Sequence, residues 1–148
     1  MDNSINIKNI EVRKLTKDEF NRLFAEAPDT ETRNLKAILG EWAYQFFQER
    51  SLEQEGLVIN KRPIYFGAVA FNRDKETFNL WTMVNSNVRE QFTLFKVAKR
   101  TVYKWLKKFG VLYATMEKIN TKNIEWTKRL GFKTVYEDDR IITLKLGG

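Results

Sequence analysis

Asn120-Thr121-Lys122-Asn123-Ile124-Glu125-Trp126-Thr127-Lys128-Arg129-Leu130-Gly131-Phe132 is the most informative stretch of this 148-residue chain. Asn120 or Thr121 carries a side-chain oxygen suited to the unpaired amides of a first helical turn, so either caps a helix. That helix is predicted over Asn123 to Leu130, and Gly131 stands where a helix stops. Directly upstream, Val111 to Met116 is a short, mostly apolar strand. It follows a helical stripe of Leu94, Phe95, Ala98, Val102, Trp105, Leu106 and Phe109 closed by Gly110, so strand and helices read as part of a parallel β-α-β unit. Downstream, Lys133 to Tyr136 and Ile141 to Leu146 flank the acidic turn Glu137-Asp138-Asp139-Arg140 and predict a closing hairpin.

Toward the N-terminus the period changes. Leu57 to Ile59, Ile64 to Phe71 and Thr77 to Val84 read as consecutive antiparallel strands, with Asn72-Arg73-Asp74-Lys75 as a turn. Before them, Leu35, Ile38, Leu39, Trp42, Ala43 and Phe46 recur at helical steps and predict one helix from Glu31 to Arg50, preceded by the breaker Pro28-Asp29-Thr30. Ile7 to Leu15 reads as a strand, and Thr16-Lys17-Asp18-Glu19 has capping-box spacing ahead of Phe20, Leu23 and Phe24.

This order of elements covers nearly the whole chain and resembles the GNAT superfamily of acyl-CoA N-acyltransferases. Residues 120 to 132 are similar to that family's closing motif, an Asn followed at fixed spacing by a helix ending in Leu-Gly-Phe. The resemblance implies an α/β fold with a mixed, twisted sheet of about six to seven strands flanked by four helices, as a single domain over residues 1–148. Trp126 before Lys128-Arg129-Leu130-Gly131-Phe132, together with Leu80-Trp81-Thr82, more closely resembles the GNAT-like proteins of tailed phages, some of them named internal virion protein A. For localisation that implies the cytoplasm of a host cell, or association with a virion and its other proteins.

The resemblance also implies a site. In the family, the strand before the long helix splays and its backbone binds the pantetheine arm of acetyl-CoA. An Arg/Gln-x-x-Gly-x-Gly/Ala loop then presents helix N-terminal amides to the pyrophosphate, an anion site that glycines let the phosphates approach closely. Carried over, the strand positions are Trp81, Thr82, Met83 and Val84, the basic position is Arg89, and the motif Asn is Asn120. Here Glu90, Phe92 and Leu94 replace the small residues, so the cradle reads as eroded unless Phe92 and Leu94 turn into the core. The proton donor to the leaving thiolate, a Tyr in many members, is Thr127, whose hydroxyl is a poor general acid at neutral pH. Trp126 beside it reads as core filling. Candidate general bases are Glu41, Glu76 and water relayed from the splayed strand. If the site is active, the family implies direct attack of a deprotonated amine on the thioester.

Composition narrows the chemistry further. The chain has no Cys and no His, which excludes disulfides, thiolate catalysis and the commonest metal ligand, so no metal is expected. Apolar residues at 43%, with 11 Phe and 4 Trp, supply a core. No apolar run approaches membrane-spanning length, so a soluble, cytoplasmic protein without membrane contact is expected. The net charge of +7 favours anionic partners. Lys96, Lys99, Arg100, Lys104, Lys107 and Lys108 lie on the long helix with no acidic residue between Leu94 and Phe109. That face suits coenzyme A phosphates, an acidic protein or nonspecific nucleic acid, or is simply solvated. Three readings stay open: a scaffold kept for binding or virion assembly, placed first; an acetyl-CoA-dependent N-acetyltransferase; and a basic nucleic-acid-associated protein.

Overall fold

Thr16 starts the first helix of this computed structural model, which describes residues 9–27, 36–85 and 89–148. Its hydroxyl accepts from the Glu19 amide (3.2 Å) while Glu19 Oε1 accepts from the Thr16 amide (2.8 Å), the reciprocal box that the spacing predicted. Strand β1 (Ile10–Arg13) leads into α1 (Lys17–Glu26), and Arg13 forks onto both Glu19 oxygens at 2.8 Å. The chain continues through α2 (Ala43–Arg50), β2 (Ser51–Ile59), β3 (Arg62–Asn72) and β4 (Thr77–Val84). It ends with α3 (Gln91–Phe109), β5 (Val111–Glu117), α4 (Thr121–Arg129), β6 (Lys133–Glu137) and β7 (Ile141–Gly147).

The seven strands form one sheet in the order β1-β2-β3-β4-β5-β7-β6, every neighbouring pair antiparallel except β4 with β5. Four α-helices flank it among the described residues, as expected. Because successive strand residues point to opposite faces, β3 feeds two cores. Phe66 and Ala68 join Phe20, Leu23, Ala43 and Phe47 under α1 and α2. On the other face, Val69 joins Val102, Trp105, Leu112 and Leu130 under α3 and α4, and Tyr65 joins Leu94 and Ala98. Phe20 is the hub of the first core, with the Tyr44, Phe47 and Phe66 rings within 5.0 to 5.8 Å of its own.

One predicted helix is corrected. Residues 28–35, including the breaker at Pro28 and the start expected at Glu31, lie outside the described residues. Lys36, Ala37 and Ile38 are helical, but Gly40 adopts φ +51° and a 3-10 turn spans Gly40–Trp42 before α2 begins. A left-handed residue interrupts the helical ladder, and glycine takes that conformation at little steric cost. The predicted stripe is therefore cut: Ile38 and Trp42 are exposed, and Ala43 and Phe47 are buried instead.

Candidate functional site: a splayed strand pair beneath two helices

Strand β4 pairs with β3 along its whole length, from Asn72↔Thr77 to Tyr65↔Val84. Toward β5 the register is a single parallel bridge, Asn79↔Tyr113. Beyond it the two strands part, and Trp81, Thr82 and Met83 have no strand partner on that edge. The side chains of this splayed segment serve both faces. Trp81 lies edge-on to Phe47 (5.7 Å) and Met83 joins the core beneath α1 and α2, whereas Val84 packs with Leu94 and Ala98 beneath α3.

Helix α3 begins at Gln91, three residues ahead of the predicted Leu94, so Phe92 lies in its first turn. The two bulky residues at the family's glycine positions behave differently: Leu94 enters the core at 1% exposure, whereas Phe92 stands out at 77% with Lys96 over its ring. The helical period explains the split, because Leu94 falls on the stripe with Ala98, Thr101 and Trp105 and Phe92 does not. Arg89 is exposed just before the helix, and Glu90 at the N-cap position makes no side-chain capping bond. Residues 86–88, the rest of the predicted cradle, lie outside the described residues.

Above the splay, a few side chains of α3 and α4 meet. The half-buried Trp126 of α4 meets Phe95 of α3 edge-on (6.3 Å, 88°) and reaches to 6.3 Å from the ring of Tyr65 on β3. Since Tyr65 is paired with Val84, the indole lies over the end of the splayed segment. Arg129 covers Phe95 from outside (4.6 Å), and the Tyr103 hydroxyl donates to the Leu130 carbonyl (2.8 Å). Thr127 is buried, and its hydroxyl donates to the Asn123 carbonyl (2.7 Å), the usual back-bond of a helical threonine. Asn120 is buried at the start of α4 but makes no side-chain capping bond, which corrects the expectation that it caps; its carbonyl accepts from Ile124. Asn123 Oδ1 is buried without a hydrogen-bond partner.

The two candidate bases lie away from this seam. Glu41 is exposed in the 3-10 turn that precedes α2. Glu76 is exposed in the β3–β4 turn at φ +52°, at the opposite end of β4 from Val84 and about 26 Å away at strand rise. Between these elements, the α1–α2 face carries two adjoining cavities of about 930 and 660 Å³ that share Asn72, Asn79 and Trp81. The first runs beside Phe46, Arg50 and Phe71; the second crosses β5 and β7 past Tyr113 and Thr143.

Asn123 and the sealing role of Trp126 were not anticipated. Asn123 carried a weak signal, a polar residue at helical spacing from Thr127. Trp126 packs half-buried against two of the cores, as core filling implies, and only its direction toward Tyr65, which is remote in sequence, carried no signal. Among the described residues no group of three or more acidic residues is placed to hold a metal ion.

No protein-family model matches the sequence, and no curated protein matches it. Solved structures do. A GNAT-family acetyltransferase from Bacillus anthracis superposes with a TM-score of 0.67 at 10% identity, over 93% of this chain and 94% of that one. The ribosomal-protein-S18-alanine N-acetyltransferase of Escherichia coli gives 0.68 at 17% identity, over 95% and 94%. The PaiA N-acetyltransferase of Thermoplasma acidophilum, in complex with coenzyme A, gives 0.61 at 15% identity, over 95% and 99%. The fold of this chain is therefore that of the GNAT N-acetyltransferases.

Proposed function

We propose that this chain is a phage-type member of that fold in which the acetyl-CoA route is closed, and that it acts by binding a partner rather than by transferring an acetyl group. The observation that carries the reading is the position of Trp126. In the enzymes of this fold the pantetheine arm runs from the N-terminus of the long helix into the strand splay. The Trp126 indole, 6.3 Å from the rings of both Phe95 and Tyr65, supports the reading that this route is obstructed here.

The residues present fit the cofactor at one end only. The unpaired edge of Trp81–Met83 and the orphaned Asn123 Oδ1 offer main-chain groups and an acceptor to amides of an arm. The arm itself meets packed rings, and the phosphate end meets Phe92 where small residues belong. The Thr127 hydroxyl, donating to its own helix, is in any case poorly placed to protonate a thiolate. The phage assignment is supported by the Trp126 to Phe132 stretch with Leu80-Trp81-Thr82, and the basic surface supports an anionic partner.

Calorimetric titration with acetyl-CoA tests this. The expected result is no saturable heat up to millimolar ligand. A micromolar dissociation constant would overturn the closure. The second reading, an acetyl-CoA-dependent N-acetyltransferase acting on an amine, is favoured by the splay and by Asn123. In it Trp126 swings aside, the Trp81–Val84 backbone, Asn120 and Arg89 hold the cofactor, and the cofactor supplies the activated acetyl group. Acetylation of an amine panel above the spontaneous rate would select it.

A further inference from the structure

The outer face of α3 belongs to neither core, and its charges divide into two sets. Lys104 pairs with Glu55 (3.0 Å) and Lys108 with Glu53 (2.9 Å), both toward β2, and the first pair is reinforced by Thr101, which donates to the other Glu55 oxygen. Lys96, Lys99, Arg100 and Lys107 are exposed with no carboxylate partner among the described residues, Lys96 lying over one face of the Phe92 ring. They fall on one side of the helix, and Lys96 and Lys107 are about 16 Å apart at helical rise. Two large rings stand among them: Phe92 at 77% exposure and Tyr103 at 40%. A solvated basic helix needs no exposed phenyl ring, and a site for duplex phosphates gains little from one. A single strand uses both, the cations for its phosphates and the rings for its unstacked bases.

We infer that this face of α3 binds single-stranded nucleic acid without sequence preference. The inference gives a partner to the binding role proposed above, and it does not require the helix seam to be closed. The phosphates lie along the Lys99–Arg100–Lys107 ridge, and bases stack on Phe92 and Tyr103.

Fluorescence anisotropy with labelled oligothymidylate, on the full chain, tests it. Binding is expected at about 50 mM salt, with a slope of log K on log salt near −3 from four cations at about 0.7 each. Combining Lys99→Glu, Arg100→Glu and Lys107→Glu should weaken binding at least about a hundredfold, with the circular dichroism spectrum unchanged. Phe92→Ala should weaken it at least about fivefold and leave the salt slope as it was. Any of four results overturns the inference: no binding by the folded wild type, indifference to the triple charge reversal, indifference to Phe92→Ala, or equal competition by polyglutamate. An acetyl-CoA titration on the same sample reads the closed seam separately, so either idea can fail alone.

Discussion

The two faces of β4 are built from the same eight residues and differ in access. Beneath α1 and α2, the ring of Trp81 is partly exposed and lines adjoining cavities of about 930 and 660 Å³. Beneath α3 and α4, Val84 is buried, Trp126 and Phe95 close the gap between the helices, and Thr127 bonds to its own helix. An enzyme that brings an acyl donor and an amine together needs entry for both. On the one side Trp81 borders open space and on the other Trp126 and Phe95 meet edge-on, so the proposed closure is a contrast between the two faces of a single strand.

The largest effect should come from breaking the core of the open side. Phe20→Ala removes a fully buried ring that contacts four other aromatic residues, Phe24 among them, and should cost about 3–5 kcal/mol in urea denaturation. The cavity beside Phe46 and Phe47 would be reshaped as α2 loses its packing. A loss below about 1 kcal/mol would show that this cover is loosely packed.

The closed side can be strained from below. The Tyr65 hydroxyl is buried without a partner and lies against Gly67, where an added Cβ would collide with it. Burial also pushes the Tyr65 phenol up, away from ionisation. Gly67→Ala should destabilise by about 1–3 kcal/mol, and adding Tyr65→Phe should restore part of that by removing the nearer of two clashing atoms and an unpaired hydroxyl, while the ring carbon Cζ stays tight against the new Cβ. Additive losses in the double variant would contradict this geometry.

Trp126→Ala sharpens the contrast most directly. It should cost about 1–2 kcal/mol of stability, since the ring is only half-buried, and should open the route. The expected readout is a rise in melting temperature with acetyl-CoA that the wild type lacks. If the variant stays blind to the ligand, the obstruction lies at Phe92 instead.

The smallest effect concerns the start of α1. Hydrogen bonds from Arg13, with a further contribution from the Thr16 amide, hold the Glu19 carboxyl at about 2 against a usual 4.5. A carboxyl depressed in the folded state stabilises fully above its unfolded value and loses that contribution as pH falls through its folded one. Melting temperature should therefore drop between about pH 4.5 and 2, and Glu19→Gln should flatten that limb. An unchanged acid limb would mean that other carboxylates govern it.

Much of the fold was legible because its elements carry their own periodicity. Leu94, Ala98, Val102 and Trp105 mark one face of α3, and all are buried; Thr77 to Val84 was bounded to the residue. The capping box at Thr16 is local chemistry and held. The break at Gly40 was harder to see, because a helical pattern of apolar residues runs straight through it and only the glycine's left-handed conformation ends the ladder. The site was less legible than the fold. Phe92 and Leu94 look alike as bulky residues in place of glycine, yet one is in solvent and one in the core, and a shift in where the helix starts separates them.

The residue types alone established the order of strands and helices, the lack of thiol or imidazole chemistry and the unbroken run of cations on α3. They could not say whether the space above the splayed strand is open. That depends on where one half-buried indole comes to rest, and its direction is set by Phe95 on another helix and Tyr65 on another strand. Periodicity records which face of an element is buried; which neighbour a ring meets is settled by packing between segments far apart in the chain.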